Sequence, residues 1–451
     1  MSEATDKMRA EGLPDIAIST FEHYERLLGE GNEGTLPEAE LEPLEEVQGS
    51  DDLPDGNPAD LERAVVLKLN GGLGTSMGMT KAKSLVEVKD GQTFLDVIAR
   101  QVLHLRERHG AAIPLLLMNS FATRDDTLEA LERYPDLKLD GLPLDFMQGK
   151  VPKLLAGDDH GPVSWEADPS LEWAPPGHGD VFTSLASSGM LDTLLERGYE
   201  YLFLSNSDNL GAVLEPRILS WFASEELPFL SEVVDRTEAD RKGGHLARRA
   251  EDGGLVLRET AQVPEDDQEA FQDTERHRFF NANNIWVNLR ALKRALEERD
   301  GVLGLPMIVN RKTVDPSDSS SPAVLQLETA MGAAIGVFDG AAALHVPRAR
   351  FAPVKTTNNL LVVRSDAYEL ADDWTVQLAP GRDTIPIVEL SDEFKLLRDF
   401  EDRFPAGPPS LIEAERLEVE GDVRFGRDVK VRGRVHVDGP AEIPDRAVLE
   451  G

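Results

Sequence analysis

Two apolar registers, each with a spacing of six residues, constrain how the last forty or so residues of this chain can fold. The first register is Leu411, Leu417, Val423, Val429, Val435, Ala441 and Ala447, and the second is Val419, Phe425, Val431, Val437, Ile443 and Leu449. Such a repeat is typical of a parallel β-helix, whose coils stack and bury their faces against their neighbours. The sequence therefore predicts a β-helix domain over residues 408–451. Its exposed end is a possible docking surface for another subunit, which makes a homo-oligomer possible.

Upstream of this repeat, short apolar runs alternate with helical patterns. The run AVVLKLN, starting at Ala64, precedes a glycine loop and an amphipathic segment for which Thr93 is a plausible N-cap. The same alternation recurs in PLLLMN, in TRDDTLEALERY, and in DVFTSLASSGMLDTLLERG followed by YLFLSN. This rhythm predicts an α/β domain over residues 61–400, with parallel strands joined by crossover helices.

Two further segments differ from this pattern. Residues 1–60 are acidic and rich in Pro and Gly, and contain one short amphipathic stretch around residues 18–28. We expect this N-terminal leader, with its short helix, to pack on another part of the protein. Residues 232–288 contain β-rich runs such as GLVLRET and NNIWVNL, which predict a sheet that covers the substrate.

The composition excludes several kinds of chemistry. A formal net charge of −36 argues against non-specific binding to nucleic acid or to anionic membranes. The absence of cysteine excludes disulfides, thiolate metal sites and cysteine nucleophiles. No secretory signal pattern or membrane-spanning run of about 20 apolar residues is present, so we expect a cytoplasmic protein.

The segment LKLNGGLGTSMGMTKAKS, from Leu67 to Ser84, is the richest candidate for a ligand site. Its glycines let backbone amides approach a ligand closely, and phosphate suits such a loop. The spacing fits neither the P-loop pattern nor the dinucleotide pattern GxGxxG, which it misses by one residue. A tight turn between strand and helix would explain the glycines equally well. Lys81 and Lys83 favour phosphate, because they place positive charge beside the glycines of a very acidic protein.

From this loop onward the chain resembles the eukaryotic-type UTP-glucose-1-phosphate uridylyltransferases, also called UDP-glucose pyrophosphorylases. The resemblance rests on collinear blocks over nearly three hundred residues: LNGGLGTSMG, PLLLMNSF, PPGHGD, SNSDNL, AQVP, FNANNIW, QLETA and VPRARFAPVKTT. It implies a Rossmann-like nucleotidyltransferase core with a mixed, mainly parallel sheet, followed by a left-handed parallel β-helix. The implied reaction is the reversible, Mg²⁺-dependent formation of UDP-glucose and pyrophosphate from UTP and glucose 1-phosphate.

The resemblance also implies a set of site residues. The catalytic residues would be Lys83 and Lys355, and the metal ligand would be Asp208. Nucleotide contacts would come from Leu69, Asn70, Gly71, Gly72, Lys83, Gln148, Gly177, Asp208 and Lys355. Sugar and sugar-phosphate contacts would come from His178, Asn206, Gly244, Glu259, Asn283 and Asn284.

Several of these residues also have an interpretation of their own. Asp208 directly follows the strand-like YLFLS, where ligands of α/β sheets gather, and one carboxylate is enough for a Mg²⁺ that also binds phosphates and water. An Asx-turn made by Asn206, Asp208 or Asn209 is the competing explanation. Asp180 is a candidate cap for a helix beginning at Val181. An amide such as Gln148 can pair with a base edge through one donor and one acceptor.

The mechanism that these residues suggest needs no general base, because a sugar phosphate is already ionised at neutral pH. Lys83 would bind the β and γ oxygens of UTP, and Lys355 would neutralise the two meeting phosphates. The family usually has Lys-Gly-Pro-Lys-Ser after the loop, whereas this chain has TKAKS at residues 80–84. The phosphate ligand is therefore Lys81 or Lys83, and alignment through Ser84 favours Lys83.

Three alternatives remain open from sequence. The same chemistry could act on galactose 1-phosphate, on N-acetylglucosamine 1-phosphate or on a broad range of sugars. A NAD-dependent dehydrogenase would use the near-miss glycine pattern, although a clear acidic residue at the end of a second strand is hard to find. Finally, the hexapeptide coils could be the functional part, as in acyltransferases or scaffolds.

Overall fold

The fold is described from a computed structural model that covers residues 2–157 and 160–451. The helices are α1 (Glu3–Ala10), α2 (Asp15–Gly29), α3 (Phe94–His109), α4 (Arg124–Leu131), α5 (Asp180–Ser187), α6 (Met190–Glu196), α7 (Pro216–Ser224), α8 (Gln268–Gln272), α9 (Leu289–Glu298), α10 (Thr357–Arg364) and α11 (Leu397–Arg403). The strands of the first half are β1 (Leu41–Pro43), β2 (Gln48–Gly49), β3 (Ala64–Asn70), β4 (Glu87–Lys89), β5 (Gln92–Thr93), β6 (Leu115–Asn119), β7 (Asp145–Met147), β8 (Val151–Pro152), β9 (Leu154–Leu155), β10 (Trp173–Ala174), β11 (Tyr201–Asn206) and β12 (Phe229–Asp235). Those of the second half are β13 (His245–Arg249), β14 (Leu255–Arg258), β15 (Phe279–Asn288), β16 (Met307–Thr313), β17 (Ala323–Thr329), β18 (Ala342–His345), β19 (Tyr368–Leu370), β20 (Val376–Leu378), β21 (Ile387–Leu390), β22 (Ser410–Glu420), β23 (Val423–Phe425), β24 (Lys430–Asp438), β25 (Ala441–Ile443) and β26 (Val448–Glu450).

A mixed, mainly parallel sheet forms the centre of the protein. Its strand order is β2-β18-β12-β15-β11-β3-β6-β7, and each of these neighbours pairs in parallel except β15, which runs antiparallel to β12 and β11. Apolar side chains cover both faces, which explains why β3 appears in the sequence as a nearly continuous apolar run. Val66 packs on the face that carries α3, whereas Val65 and Leu67 pack on the face that carries α5 and α6. The α/β core predicted from the sequence is confirmed.

The segment predicted to cover the substrate divides between two structures. Strand β15 belongs to the central sheet, and its pairing with β11 and β12 was not foreseen. Strands β13 and β14 branch off the main path of this sheet, as an antiparallel hairpin that pairs with β1 and, at His245, with β15. The prediction of a separate covering sheet over all of residues 232–288 is therefore wrong for β12 and β15.

The N-terminal segment packs against strands β9 and β17. The amphipathic stretch around residues 18–28 forms most of α2, and its Phe21 and Tyr24 are buried with Leu154 and Leu327. The Tyr24 hydroxyl also donates to the Leu305 carbonyl at 3.0 Å. Helix α2 therefore packs against β9 and β17, while the extent of the N-terminal leader stays a prediction.

Two small parallel sheets lie at the C-terminal end. One has the order β21-β22-β24-β26, and the other pairs β23 with β25. The six-residue registers point inward, since Leu411, Leu417, Val423 and Val429 are completely buried. Residues of the last coil, such as Ala447 and Leu449, are half-buried at the open end. Strand β21 joins this array before residue 408, whereas the domain boundaries themselves stay a prediction.

Among the described residues, none of the helices is both long enough and apolar enough to cross a bilayer.

Two stacked histidines connect the β13–β14 hairpin to Glu38 of the N-terminal segment. The rings of His245 and His277 lie 3.9 Å apart between centroids, and His277 Nε2 lies 3.0 Å from the Glu38 carboxylate. Burial lowers the pKa of both rings. For His245 the neighbouring His277 and Arg236 add to the effect, whereas Glu38 opposes it at His277.

This pair generates a prediction about acid stability. Because the pKa of His245 is lower in the folded protein, the unfolded chain binds more protons below about pH 6.5, and the free energy of unfolding falls with pH. We expect the free energy of unfolding of His245→Phe, which keeps a ring against His277, to fall less between pH 7 and pH 5 than that of the unsubstituted protein. The difference is at most about 2 kcal/mol, the contribution of one His that stays neutral in the folded protein. Urea unfolding at both pH values measures the difference. Equal losses in the two proteins would contradict the assignment.

Candidate functional site

The carboxyl ends of four parallel strands, β11, β3, β6 and β7, line up and define the candidate site. Leu69 of β3 lies opposite Asn206 of β11, and Asn70 lies opposite Asn119 of β6. The Asn70 amide donates to Asn119 Oδ1 at 2.7 Å, so its buried side chain holds the strand ends together. The Leu69 carbonyl likewise accepts from the Ser207 amide at 3.2 Å. Side chains that follow these ends are therefore brought to one edge of the sheet.

The glycine loop follows β3 and runs under Gln148. A Cβ atom on Gly71 would lie 2.2 Å from Gln148 Oε1, so only glycine leaves this amide where it is. Gly74 and Gly78 have φ values of 66° and 71°, in the left-handed region that glycine adopts without strain. Around Gly72 a Cβ would meet open space, and the Gly72 carbonyl accepts from the Lys83 amide at 3.0 Å. The loop thus presents an open backbone surface with Gln148 at one side.

Lys83 and Asp208 form an ion pair at the centre of this edge. Lys83 Nζ lies 2.6 Å from Asp208 Oδ2, and the two side chains are only 15% and 19% exposed. Lys81 points elsewhere, since its side chain is 69% exposed and its Nζ lies 3.9 Å from Asp126. Of the two candidate lysines, the structure therefore brings Lys83 to the aspartate.

Lys355 reaches the same region from the other side. The amide of its neighbour Val354 donates to the Asp208 carbonyl at 3.1 Å, which fastens the Lys355 segment to the end of β11. The positive charge of Lys355 helps burial to lower the pKa of His178 to about 4. It also opposes the effect of burial, which raises the pKa of Glu259. His178 and Glu259 therefore lie within the electrostatic reach of Lys355.

The PPGHGD block is held against the end of β17. Gly177 has a φ of 79°, and a Cβ there would lie 2.4 Å from the Thr329 carbonyl oxygen. The Met331 amide donates to His178 Nδ1 at 3.0 Å, so the proton of the neutral ring sits on Nε2. His178 is therefore a neutral hydrogen-bond donor near pH 7.

Asp180 does not cap a helix, and the prediction that it does is wrong. It is the first residue of α5, whose N-cap position is Gly179. Its buried carboxylate instead accepts from the Gly149 amide and from the Ser184 hydroxyl, both at 2.6 Å. Asp180 thus anchors the Gln148 loop from behind.

The residues predicted to face the sugar lie on β15 and on the hairpin. A Cβ on Gly244 would lie 2.6 Å from the Glu259 carboxylate, so the two are in direct contact. Asn283, at a φ of 54°, exchanges hydrogen bonds with the side chain of Asn281. The backbone N–H of Asn281 donates to the Gly244 carbonyl at 3.1 Å.

Asn284 has a different environment. It is completely buried, and its amide donates to Glu232 and to the Arg350 carbonyl while its oxygen accepts from Asn209. These partners are protein groups, so this geometry does not support direct contact between Asn284 and a sugar.

Three of these partners were not predicted as site residues from the sequence. Asn209 was considered only for an Asx-turn, while Glu232 and Arg350 were not singled out. Glu232 and Arg350 form a buried ion pair at 2.6 Å across 118 positions of the chain. A charge in an apolar run, as in FLSEVVD, was the available signal for Glu232.

A glycine loop, a paired lysine and aspartate, and a second lysine at the ends of parallel strands define a nucleotide-binding α/β protein suited to phosphate chemistry. The family model described as UTP–glucose-1-phosphate uridylyltransferase matches residues 19–432. The chain belongs to this family, and it is accordingly a nucleotidyltransferase.

Relatives and solved structures agree with this membership. The uridylyltransferase of Solanum tuberosum is 45% identical over 396 residues, which is 86% of this chain and 80% of that protein. The Saccharomyces cerevisiae enzyme is 42% identical over 400 residues, 87% and 78% of the two chains. A Leishmania major UDP-glucose pyrophosphorylase variant in complex with UDP-glucose has a TM-score of 0.94 at 44% identity and covers 99% of this chain and 97% of its own. The Trypanosoma brucei enzyme has a TM-score of 0.90 at 45% identity, with 100% and 99% coverage.

The different placement of the two loop lysines gives a prediction. We expect Lys83→Ala to lower turnover by roughly 10²-fold, because it removes a cation beside Asp208. Lys81→Ala, a matched control two residues away, should change turnover by less than about threefold, since an exposed pair contributes little. Pyrophosphate release from UTP and glucose 1-phosphate measures both. A larger loss in Lys81→Ala would reverse the assignment.

Proposed function

We propose that this chain forms UDP-glucose and pyrophosphate, reversibly, from UTP and glucose 1-phosphate at the edge of the sheet described above. The observation that carries the proposal is that Lys83 and the segment that carries Lys355 both contact Asp208. One lysine pairs with its carboxylate, and the backbone beside the other binds its carbonyl. Family membership and the relatives bound to UDP-glucose support the same reaction.

The glycine loop and Gln148 would hold the nucleotide. The open backbone at Gly72 admits phosphate or ribose, and Gly71 leaves room for Gln148, which can offer a donor and an acceptor to the uracil edge. Asp180 accepts from the backbone amide of Gly149, which follows Gln148, and so holds the backbone beside Gln148. Leu69, Asn70 and Gly177 would complete the nucleotide site by positioning the loops that hold the nucleotide.

The sugar phosphate would lie between the hairpin and the PPGHGD block. Glu259, Gly244, Asn206 and Asn283 would face the sugar hydroxyls, which need both donors and acceptors. His178 would donate its Nε2 proton to a phosphate oxygen. Because burial lowers its pKa to about 4, this ring stays neutral near pH 7. It would therefore donate a hydrogen bond to the phosphate without placing a positive charge beside it.

The reaction would be an in-line displacement in which a phosphate oxygen of glucose 1-phosphate attacks the α-phosphorus of UTP. The new P–O bond forms as the bond to the β-phosphate oxygen breaks, and the electron pair leaves with pyrophosphate. Lys83 would contact the β and γ oxygens, and Lys355 would neutralise the two phosphates that meet. No proton transfer is needed, since the attacking oxygen is already ionised.

Magnesium fits the donor set at Asp208. A carboxylate at a strand end, beside a place for phosphates, suits an ion that prefers one or two carboxylates with phosphate and water. Among the described residues, the group of three possible ligands within reach of one ion is Glu420, His436 and Asp438, exposed on the C-terminal strands. Asp208 does not belong to that group. It would therefore hold Mg²⁺ together with the phosphates of the nucleotide, whose negative charge the ion would offset.

The proposal also includes a left-handed β-helix at the C-terminus and an association of subunits through its open end. The parallel pairing of β22, β24 and β26 and the inward registers support the helix. The half-buried Leu449 and the unpaired edge of the last strand support the association. The cytoplasmic location predicted from the sequence stays a prediction.

A panel of sugar 1-phosphates tests the reaction. We expect pyrophosphate release from UTP with glucose 1-phosphate to exceed that with galactose or N-acetylglucosamine 1-phosphate by more than about tenfold, and to require Mg²⁺. Full activity after chelation would contradict only the magnesium assignment. A preference for another sugar phosphate would contradict only the sugar.

A charge at the coil end tests the association. We expect light scattering to give an oligomer for the unsubstituted protein and a smaller mass for Leu449→Asp, because a carboxylate cannot be buried without a partner. The control Ile385→Asp changes an apolar residue that is 43% exposed near the first coil, and it should keep the original mass. A monomer without any substitution would contradict the proposal.

A further inference from the structure

The loop that carries Asp208 and the segment that carries Lys355 meet beside the end of β11. Residues 350–356 come from beyond β18, far along the chain from the loop that holds Asp208. Two backbone contacts join them: the Val354 amide donates to the Asp208 carbonyl at 3.1 Å, and Asn209 forms an isolated bridge with Pro353. The distance between Lys355 and Asp208 therefore depends on how firmly these loops are joined.

Asn209 supplies the side chain at this junction. It is only 2% exposed, and its oxygen accepts from the Ala352 amide at 3.0 Å and from the Gly211 amide at 3.2 Å. Its nitrogen donates to the Arg350 carbonyl and to Asn284 Oδ1, both at 3.1 Å. One amide group thus binds its own loop and two points of the Lys355 segment.

The partners of Asn209 are themselves held by a buried ion pair. Arg350 donates to the completely buried Glu232 through Nε at 2.8 Å and through a terminal nitrogen at 2.6 Å. Asn284 and the indole of Trp286 also donate to this carboxylate, each at 2.9 Å. Removing either member of this ion pair would leave a buried charge without its partner, which is strongly destabilising.

We propose that Asn209 is a positioning residue for the transfer reaction, which sets Lys355 relative to Asp208 by fastening residues 350–354 to the end of β11. The proposal rests on the function proposed above. A displacement of about 1 Å between reacting groups is enough to cost about 10²-fold in rate, so a residue that touches no substrate can control turnover. The Glu232–Arg350 pair and Asn284 hold Asn209 and its partners in place.

A double-mutant cycle tests this inference in the full chain. We expect Asn209→Ala to lower kcat by about 10- to 100-fold while the KM for UTP changes by less than about threefold. In a Lys355→Ala background the same substitution should lower kcat by less than about threefold, because the group that it positions is gone. Equal losses in both backgrounds, or an unchanged kcat in Asn209→Ala, would overturn the inference.

Gln101 offers a matched control. It is another buried amide, 3% exposed, which donates to the Leu210 carbonyl at 3.2 Å and to the Trp374 carbonyl at 2.9 Å. We expect Gln101→Ala to lower the Tm about as much as Asn209→Ala and to leave kcat close to that of the unsubstituted enzyme. A similar fall of kcat in both variants would make the effect merely structural. If Asn209→Ala does not fold, Asn209→Ser takes its place, with the same criteria.

Hydrogen exchange separates this inference from the proposed function. In Asn209→Ala the amides of Ala352 and Val354 should exchange at least about tenfold faster, whereas in Gln101→Ala they should not. This holds whether or not UTP and glucose 1-phosphate react. An inactive unsubstituted protein would therefore overturn the proposed function alone, and unchanged exchange in Asn209→Ala would overturn the role of Asn209.

Discussion

The parallel register of β3, β6 and β11 is the constraint on which the rest of this protein depends. It sets Leu69 beside Asn206 and Asn70 beside Asn119, so loops that are distant in sequence start from one line. The buried amide of Asn70 reinforces this line by binding Asn119 and Thr127. A slip of one residue in β3 would exchange its two apolar faces and also move the glycine loop away from Gln148. Packing of the core and geometry of the site are therefore specified by the same hydrogen bonds.

Much of the fold was accessible from the sequence because it follows from repeating patterns. Apolar runs identified β3, β6 and β11, and Thr93, a plausible N-cap in the sequence, caps α3 in the structure. The six-residue registers identified the residues that are buried between the C-terminal sheets. Strand β15 was different: a strand antiparallel to both neighbours leaves no periodic signal of its direction, and its polar residues suggested a covering layer. Direction in a mixed sheet is decided by pairing with distant strands, which one sequence does not reveal.

The candidate site divides in the same way. Gly71, Lys83, Asp208 and Lys355 stand in local motifs, and the structure brings Lys83 and the Lys355 segment to Asp208. Asn284 stands in such a motif as well, yet its side chain is used by Glu232 and Asn209. The motif could not distinguish a residue that contacts a ligand from one that supports its neighbour. That distinction depends on which way an amide points, and this is set by a buried ion pair between Glu232 of β12 and Arg350 of the turn that follows β18.

Electrostatics explains why an acidic protein can offer a site to two anionic reactants. The net charge of the chain is −36, whereas the cations of the site are few. Lys83 is only 15% exposed, so its charge acts through a lower dielectric than that of the exposed Lys355. Burial, with Arg350 nearby, lowers the pKa of Lys68 beneath the site to about 7, although Glu232 opposes the shift. A carboxylate beside a triphosphate would ordinarily repel it. In the proposed site Asp208 would be compatible with this position, because its ion pair with Lys83 adds no net charge before a ligand binds. A phosphate that takes Lys83 and a cation that takes Asp208 would then each replace a partner already in place, and neither group would be left bare.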